Sequence, residues 1–475
     1  MEPRQGDKNP TFRKPLGGRR VLVITWAQNA TPVHRPSLAS LQTYCEHRSA
    51  ELIVIPGRYK NPTSRWSESQ SNDETWAPEV TPYLHNVRKK LNGSLVLVAD
   101  LKIQPTAVTP LTGLEGLTSG ESCIVGHPKA QMKCVATPQN ALPKIMRTTG
   151  AVTVSNHSDS KAGKLGDFHH HLGALVVEIQ GSKVFHMRRL SCRSDGAFID
   201  LDKAYYADGT VEDAPPYAAV AFGDAHYRFA DARTVRATFE PGGIVDTLNP
   251  EALVWHDLLD GYSVSPHHRG NPLIAVAKHR AGFSDVRREI EETVAFLVEK
   301  SRGRKSYVVA SNHDDMLSRW VMREDWKDDP ENAELYLETA LHMVKSAKMG
   351  KGGAEYLDPF QFWVERLKGE TDVTCLRRNE SLLINDVECG MHGDAGPSGA
   401  RGSIKNLSRL GVKVMSGHGH SPAEEEGHTR LGTMSRLDLE YVRGPGAWMH
   451  AHGAIDAFGK RHLIPVIDGK WRMKG

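Results

Sequence analysis

The stretch Val412-Lys-Val-Met-Ser-Gly-His-Gly-His420 is an apolar run that stops at two histidines separated by one glycine. Such a short apolar run reads as a buried strand, and the glycine turn after it aims His418 and His420 beyond the strand's carboxyl edge. A histidine pair in that place suggests a metal site, although surface loops with two histidines are common. Whether the chain supplies further ligands decides between the two.

Four more apolar segments end in the same way. Tyr217-Ala-Ala-Val-Ala-Phe222 delivers Gly223-Asp-Ala-His226, in which Asp224 and His226 stand two apart and share one side of an extended backbone. Ala252-Leu-Val-Trp255 leads into His256-Asp-Leu-Leu-Asp260, and Tyr307-Val-Val-Ala310 into Ser311-Asn-His-Asp-Asp315. Leu382-Leu-Ile384 leads through Val387 and Cys389 to Met391-His-Gly-Asp394. Ser284 is expected to cap a helix running to about Lys300, with Val286, Ile290, Val294 and Leu297 on one face, and Ser403 to Leu410 is a second candidate helix. Open α/β sheets hold their sites at the carboxyl ends of strands, so five such clusters are expected to converge on one crevice.

Composition narrows the class. At 475 residues the chain exceeds what one core usually organises, and 39% hydrophobic with 25% charged residues is the balance of a globular protein. No run approaches the roughly 18 apolar residues of a membrane helix, which predicts no membrane segment. Six cysteines without a CxxC pair fit reduced thiols, and hence a cytoplasmic protein, better than a disulfide framework. A net charge of +3 is too mild to identify a polyanion binder.

Residues 1–20 read as a basic, disordered leader. Val21-Leu-Val-Ile-Thr25, a helix from Ser37 to His47 and Glu51-Leu-Ile-Val-Ile55 then form a βαβ opening, and Ser94–Val98 and Ala174–Ile179 are further strands. The polar turn-rich stretch Ala204 to Pro216 predicts a boundary between an α/β domain over 21–215 and a second domain over 216–475 that ends in a β segment. The loop Gly57 to Trp66 interleaves Arg58, Lys60 and Arg65 with Tyr59 and Trp66, a mixture suited to phosphates and bases as well as to a solvated turn. His169, His170 and His171 are adjacent, so at most two share a face, and a structural role is expected; His450 and His452 are expected to be β-segment residues.

The order Gly-Asp-Ala-His, His-Asp-Leu-Leu-Asp, Ser-Asn-His-Asp, Met-His-Gly-Asp, Gly-His-Gly-His, over about Val220 to Ser421, resembles that of the calcineurin-like metallophosphoesterase superfamily. The resemblance implies an α/β sandwich in the second domain. It also implies one metal held by Asp224, His226, Asp257 and His420, and another by Asp257, Asn312, His392 and His418, with Asp257 bridging. Mixed imidazole, carboxylate and amide ligands suit Mn²⁺ first, with Fe, Zn²⁺ or Ni²⁺ as alternatives. Hydroxide would attack phosphorus in line, with His313 as general acid and Asp314 orienting it. His256 and Ser311 stand where the family usually has glycine; neither removes a ligand, but His256 puts a bulkier side chain beside Asp257.

His267, His268 and Arg269 after the second cluster, and Arg401 in the glycine-rich turn, are weaker candidates for contacting the substrate phosphate. Ile24 to Pro32, Arg58 to Ser64 and Arg147 to Val154 look like stretches of the large phosphoesterases encoded by tailed bacteriophages, a group associated with DNA transfer into the host and host DNA degradation. That resemblance implies a phage-encoded DNase acting in the host cytoplasm on DNA, and a symmetric oligomer is expected. A phosphomonoesterase or cyclic-nucleotide phosphodiesterase, or a metal-bound scaffold without turnover, are the alternatives.

Overall fold

The computed structural model describes residues 19–59, 75–138, 142–268, 270–350, 353–378, 380–425, 427–439 and 444–473. Most of the leader, the basic-aromatic loop from Lys60 to Trp66, and Arg269 lie outside the described residues. The chain is mixed α/β. A six-stranded sheet runs in the order Val373–Leu376, Lys305–Val309, Ala252–Trp255, Ala219–Ala221, Ala451–Ile455, Arg461–Pro465; the first four strands are parallel and the last two antiparallel.

Alternation along these strands decides what each face meets. Val220, Phe222, Leu253, Trp255 and Val308 join a core with Val286, Ile290, Val294 and Leu297 of the helix Val286–Ser301 and with Phe360, Trp363 and Val364 of the helix Pro359–Leu367. The alternate residues Ala219, Ala221, Val254 and Val309 face a second core shared with Leu22, Ile24, Trp26, Val387 and Met415. Large residues therefore meet helices, while two alanines sit on the side that faces other strands. The helix Val286–Ser301 is capped by Asp285, one residue later than expected, because its carboxylate accepts from Arg288 N.

The βαβ opening is present: Arg19–Gln28 pairs in parallel with Glu51–Gly57 across the helix Arg35–Arg48, and Gly173–Gln180 and Val184–Ser191 complete a four-stranded sheet. The segment between 89 and 148, for which the sequence suggested no topology, supplies five strands of a ten-stranded sheet. Its other five come from 383–430, so this sheet crosses the boundary expected near 215. Met132 pairs with Glu424 at the junction, and the Glu424 carboxylate accepts there from the buried Arg147 and Arg189. The two parts thus share a sheet and a core. The turn-rich stretch that suggested a linker instead holds the small meander Phe198–Asp200, Lys203–Tyr205, Val211–Asp213, whose Phe198 and Tyr205 pack on Tyr44 of the first helix. All six cysteines are unpaired, and no helix among the described residues is long and apolar enough to cross a membrane.

Candidate metal centre

Three neighbouring strands of the six-stranded sheet and two segments of the ten-stranded sheet end at one place. Ala219–Ala221 leads to Asp224 and His226, Ala252–Trp255 to Asp257, and Lys305–Val309 to Asn312 and His313. Val387–Glu388 leads to His392, and Lys413–Ser416 to His418 and His420. Asp224, His226, Asp257 and His420 offer ligand atoms all within 4.8 Å of one another, and Asp257, His392 and His418 form a second such group, so Asp257 belongs to both. Asn312 Oδ1 lies 3.1 Å from His392 Nε2, beside the second group. Every residue expected as a ligand is therefore at the cluster.

The backbone is bent to achieve this. His226, Asp257, His418 and His420 all take left-handed conformations, with φ of 40°, 41°, 65° and 47°. Such conformations cost roughly 1–3 kcal/mol each in a non-glycine residue and persist where surrounding structure enforces them. The enforcement is visible: His226 N donates to Asp257 O at 2.7 Å, and His418 N donates to Asp224 Oδ1 at 2.9 Å. Asp224 and His226 are thus brought to one side by a left-handed turn at His226, not by the extended backbone expected from their spacing.

The charge pattern fits a cation. His226 Nε2 and His420 Nε2 face each other at 3.1 Å, His420 Nε2 is 2.8 Å from Asp224 Oδ2, and His392 Nε2 is 3.1 Å from Asp257 Oδ2. Asp257 Oδ1 is buried without a hydrogen bond. Burial works against charge on both residue types, yet the carboxylates around them raise His226 and His392 to about 9, and the imidazoles hold Asp224 down to about 2 and Asp257 well below the usual carboxylate range. Acceptor atoms this close, with protons drawn onto imidazoles by negative charge, make a donor set that could hold a metal ion in place of those protons.

Several supporting groups were not assigned from the sequence. Asp260 Oδ2 lies 3.3 Å from His226 Nδ1, a carboxylate beside the far nitrogen of a candidate ligand. Asp260 was visible in His-Asp-Leu-Leu-Asp, but nothing local says which histidine it reaches. Arg378 bonds Asp394 Oδ1 and Oδ2 at 2.9 Å, Ser311 O at 3.0 Å and Asp315 Oδ2 at 2.7 Å, tying the loop of Asn312 to the loop of His392. His256 is fully buried, its pKa lowered to about 4 by burial and then by His392, so the bulk that stands in for glycine is a neutral ring.

His313 Nδ1 donates to Asp260 O at 2.5 Å, which leaves Nε2 to exchange protons. This corrects the role expected of Asp314: its carboxylate accepts from Ser311 N at 2.9 Å and stays with its own turn, while the backbone carbonyl of Asp260 orients His313. Burial raises the Asp314 pKa well above the ordinary value, with Asp358 adding to the shift. The candidate substrate contacts are more remote in kind. His267 and Arg401 are exposed, and His268 packs edge-on against Tyr262 at 4.8 Å. Tyr59 is 4% exposed and bonds Ser158 through its hydroxyl, so its ring is not a free stacking platform. His170 bonds Thr153 O and His171 contacts Ser191 Oγ; His452 accepts from Gly223 N at 3.1 Å, bracing the turn that carries Asp224.

Fold and site together define an α/β protein with a buried histidine–carboxylate cluster able to hold metal. No family model matches the chain. Protein A1 of Escherichia phage T5 is 30% identical over 469 residues, covering 96% of this chain and 83% of that protein. The chain belongs to the family of that phage protein, which fits the phage origin suggested by its sequence.

Proposed function

We propose that the chain is a two-metal-dependent phosphodiesterase whose substrate is DNA, with Mn²⁺ as the preferred ion. The observation that carries the reading is Asp257, whose carboxylate belongs both to the group with Asp224, His226 and His420 and to the group with His392 and His418. Divalent ions held by these residues would polarise a phosphate and lower the pKa of a bound water. The chain's part is then positional. Asp224, His226 and His420 form one side of the cluster and Asn312, His392 and His418 the other, while Arg378 fixes the distance between the loops. His313, with its Nδ1 proton committed to Asp260 O, delivers a proton from Nε2 to the leaving oxygen; burial lowers its pKa, which makes the imidazolium a stronger acid. A phosphodiester needs that proton because its leaving group is an alkoxide.

DNA as the substrate rests on the resemblance to phage phosphoesterases, and a symmetric homo-oligomer is part of the same proposal. The test incubates purified protein and Mn²⁺ with plasmid or with bis-p-nitrophenyl phosphate. Nicking or degradation of plasmid is expected; cleavage of the dye ester with intact DNA would move the activity to small esters. Loss of neither substrate would remove the proposal, and a monomeric mass by light scattering would remove the oligomer.

A further inference from the structure

A polar cavity of about 190 Å³ lies between the two parts of the chain and is lined by Arg189, Lys413, Lys460 and Arg461 together with Glu424 and Glu425. Four cations face two carboxylates there. Glu424 is already shared, since one oxygen accepts from Arg147 at 2.8 Å and the other from Arg189 at 3.1 Å, so its single charge cannot neutralise both guanidiniums. Arg189 is 4% exposed and its Nη1 is buried without a hydrogen bond. Two guanidiniums sharing one carboxylate leave net positive charge in low dielectric, and an anion in the cavity would offset it. Arg461 is held by Val414 O and Gly427 O, so its charge is fixed at the cavity without a carboxylate partner of its own. Burial and then Lys413 depress the Lys460 pKa, as two cations brought together without enough negative charge should do.

We propose that this cavity binds a phosphate dianion, either inorganic phosphate or the phosphomonoester of a mononucleotide. The volume suits one such group and excludes a duplex. Lys413 opens the strand whose other end delivers His418 and His420, so the anion site lies about 13 Å of strand from the metal centre. It is built by Arg189 and Ser191 from before residue 215 and by Lys413, Lys460 and Arg461 from after it. The inference does not rest on the phosphodiesterase reading.

Calorimetric titration of full-length, EDTA-treated protein with inorganic phosphate, and separately with a 5′-mononucleotide, tests it. Saturable one-to-one binding is expected for at least one of them, and the ligand that binds more tightly identifies the source of the phosphate group. The double variant Lys413→Met/Lys460→Met should bind about ten-fold more weakly, while Asp257→Ala should bind as the natural chain does. Lys413 is exposed, so Lys413→Met alone serves should the double variant not fold. No saturable binding to the natural chain, unchanged binding in the lysine variants, or loss of binding in Asp257→Ala would each overturn the site.

Discussion

Gly417 lies between the strand Lys413–Ser416 and His418, and its replacement by alanine isolates one feature of the candidate metal centre. A Cβ built there would stand 2.2 Å from Asp224 Oδ1 and 2.9 Å from the His256 Cβ. Gly417 is not among the residues with positive φ, so alanine meets no backbone penalty and the effect is purely one of space. An ordinary carbon–oxygen contact needs about 3.3 Å, so the carboxylate must retreat by about 1 Å. His256 blocks the other direction, and the 2.9 Å bond from His418 N to Asp224 Oδ1 is lost as the carboxylate moves. Disturbing a ligand's support typically costs about 10–100-fold in metal affinity, and a reacting group misplaced by about 1 Å about 10²-fold in rate. Gly417→Ala should therefore bind Mn²⁺ at least ten-fold more weakly by calorimetry and hydrolyse bis-p-nitrophenyl phosphate about 10²-fold more slowly. Gly419→Ala is the companion variant, because the nearest atoms its Cβ would meet belong to Arg430 and not to Asp224. Natural metal affinity and rate in Gly417→Ala would refute Asp224 as a metal-facing group.

Asp257→Ala and His313→Ala should fail differently: the first loses metal by elemental analysis, whereas the second keeps it and loses about 10²–10⁴ in rate. Arg188→Met should destabilise the fold by about 3–5 kcal/mol in urea unfolding, because Arg188 holds buried Glu178 and Asp200 at 2.8–3.0 Å and both would be left charged and short of a partner. Acid should act through the same cluster. Burial opposes charge on Glu178, but Arg188, Met473 N and Arg48 overcome it and bring its pKa to about 2. A carboxyl lowered on folding stabilises above its unfolded value of about 4.3 and loses that stability as pH falls towards 2. Urea midpoints measured in EDTA should thus drop between about pH 5 and pH 2, and the drop should be smaller in Glu178→Gln; equal slopes would contradict the assignment.

The strands, the helix Val286–Ser301 and the seven candidate ligands were legible in the chain because their signals are local: apolar runs of strand length, helical spacing, and glycine turns that end each run in a metal-ligand residue type. What each strand exit meets is not local. Asp260 stands three residues after Asp257, yet only the fold shows that its carboxylate reaches His226 and its carbonyl His313. Asp314, the neighbour that sequence order favours, turns back to Ser311. The sheet that runs across residue 215 was hidden for the same reason: turn residues mark a change of direction, while strand pairing depends on which surfaces find partners. Sequence alone determined the strand exits around the cluster and the candidate ligand types, since these follow from neighbours along the chain. Tertiary structure decided that Glu424 pairs with Arg147 and Arg189 from the other half, joining one sheet and enclosing a basic cavity, because a buried charge is satisfied only by what lies beside it in space.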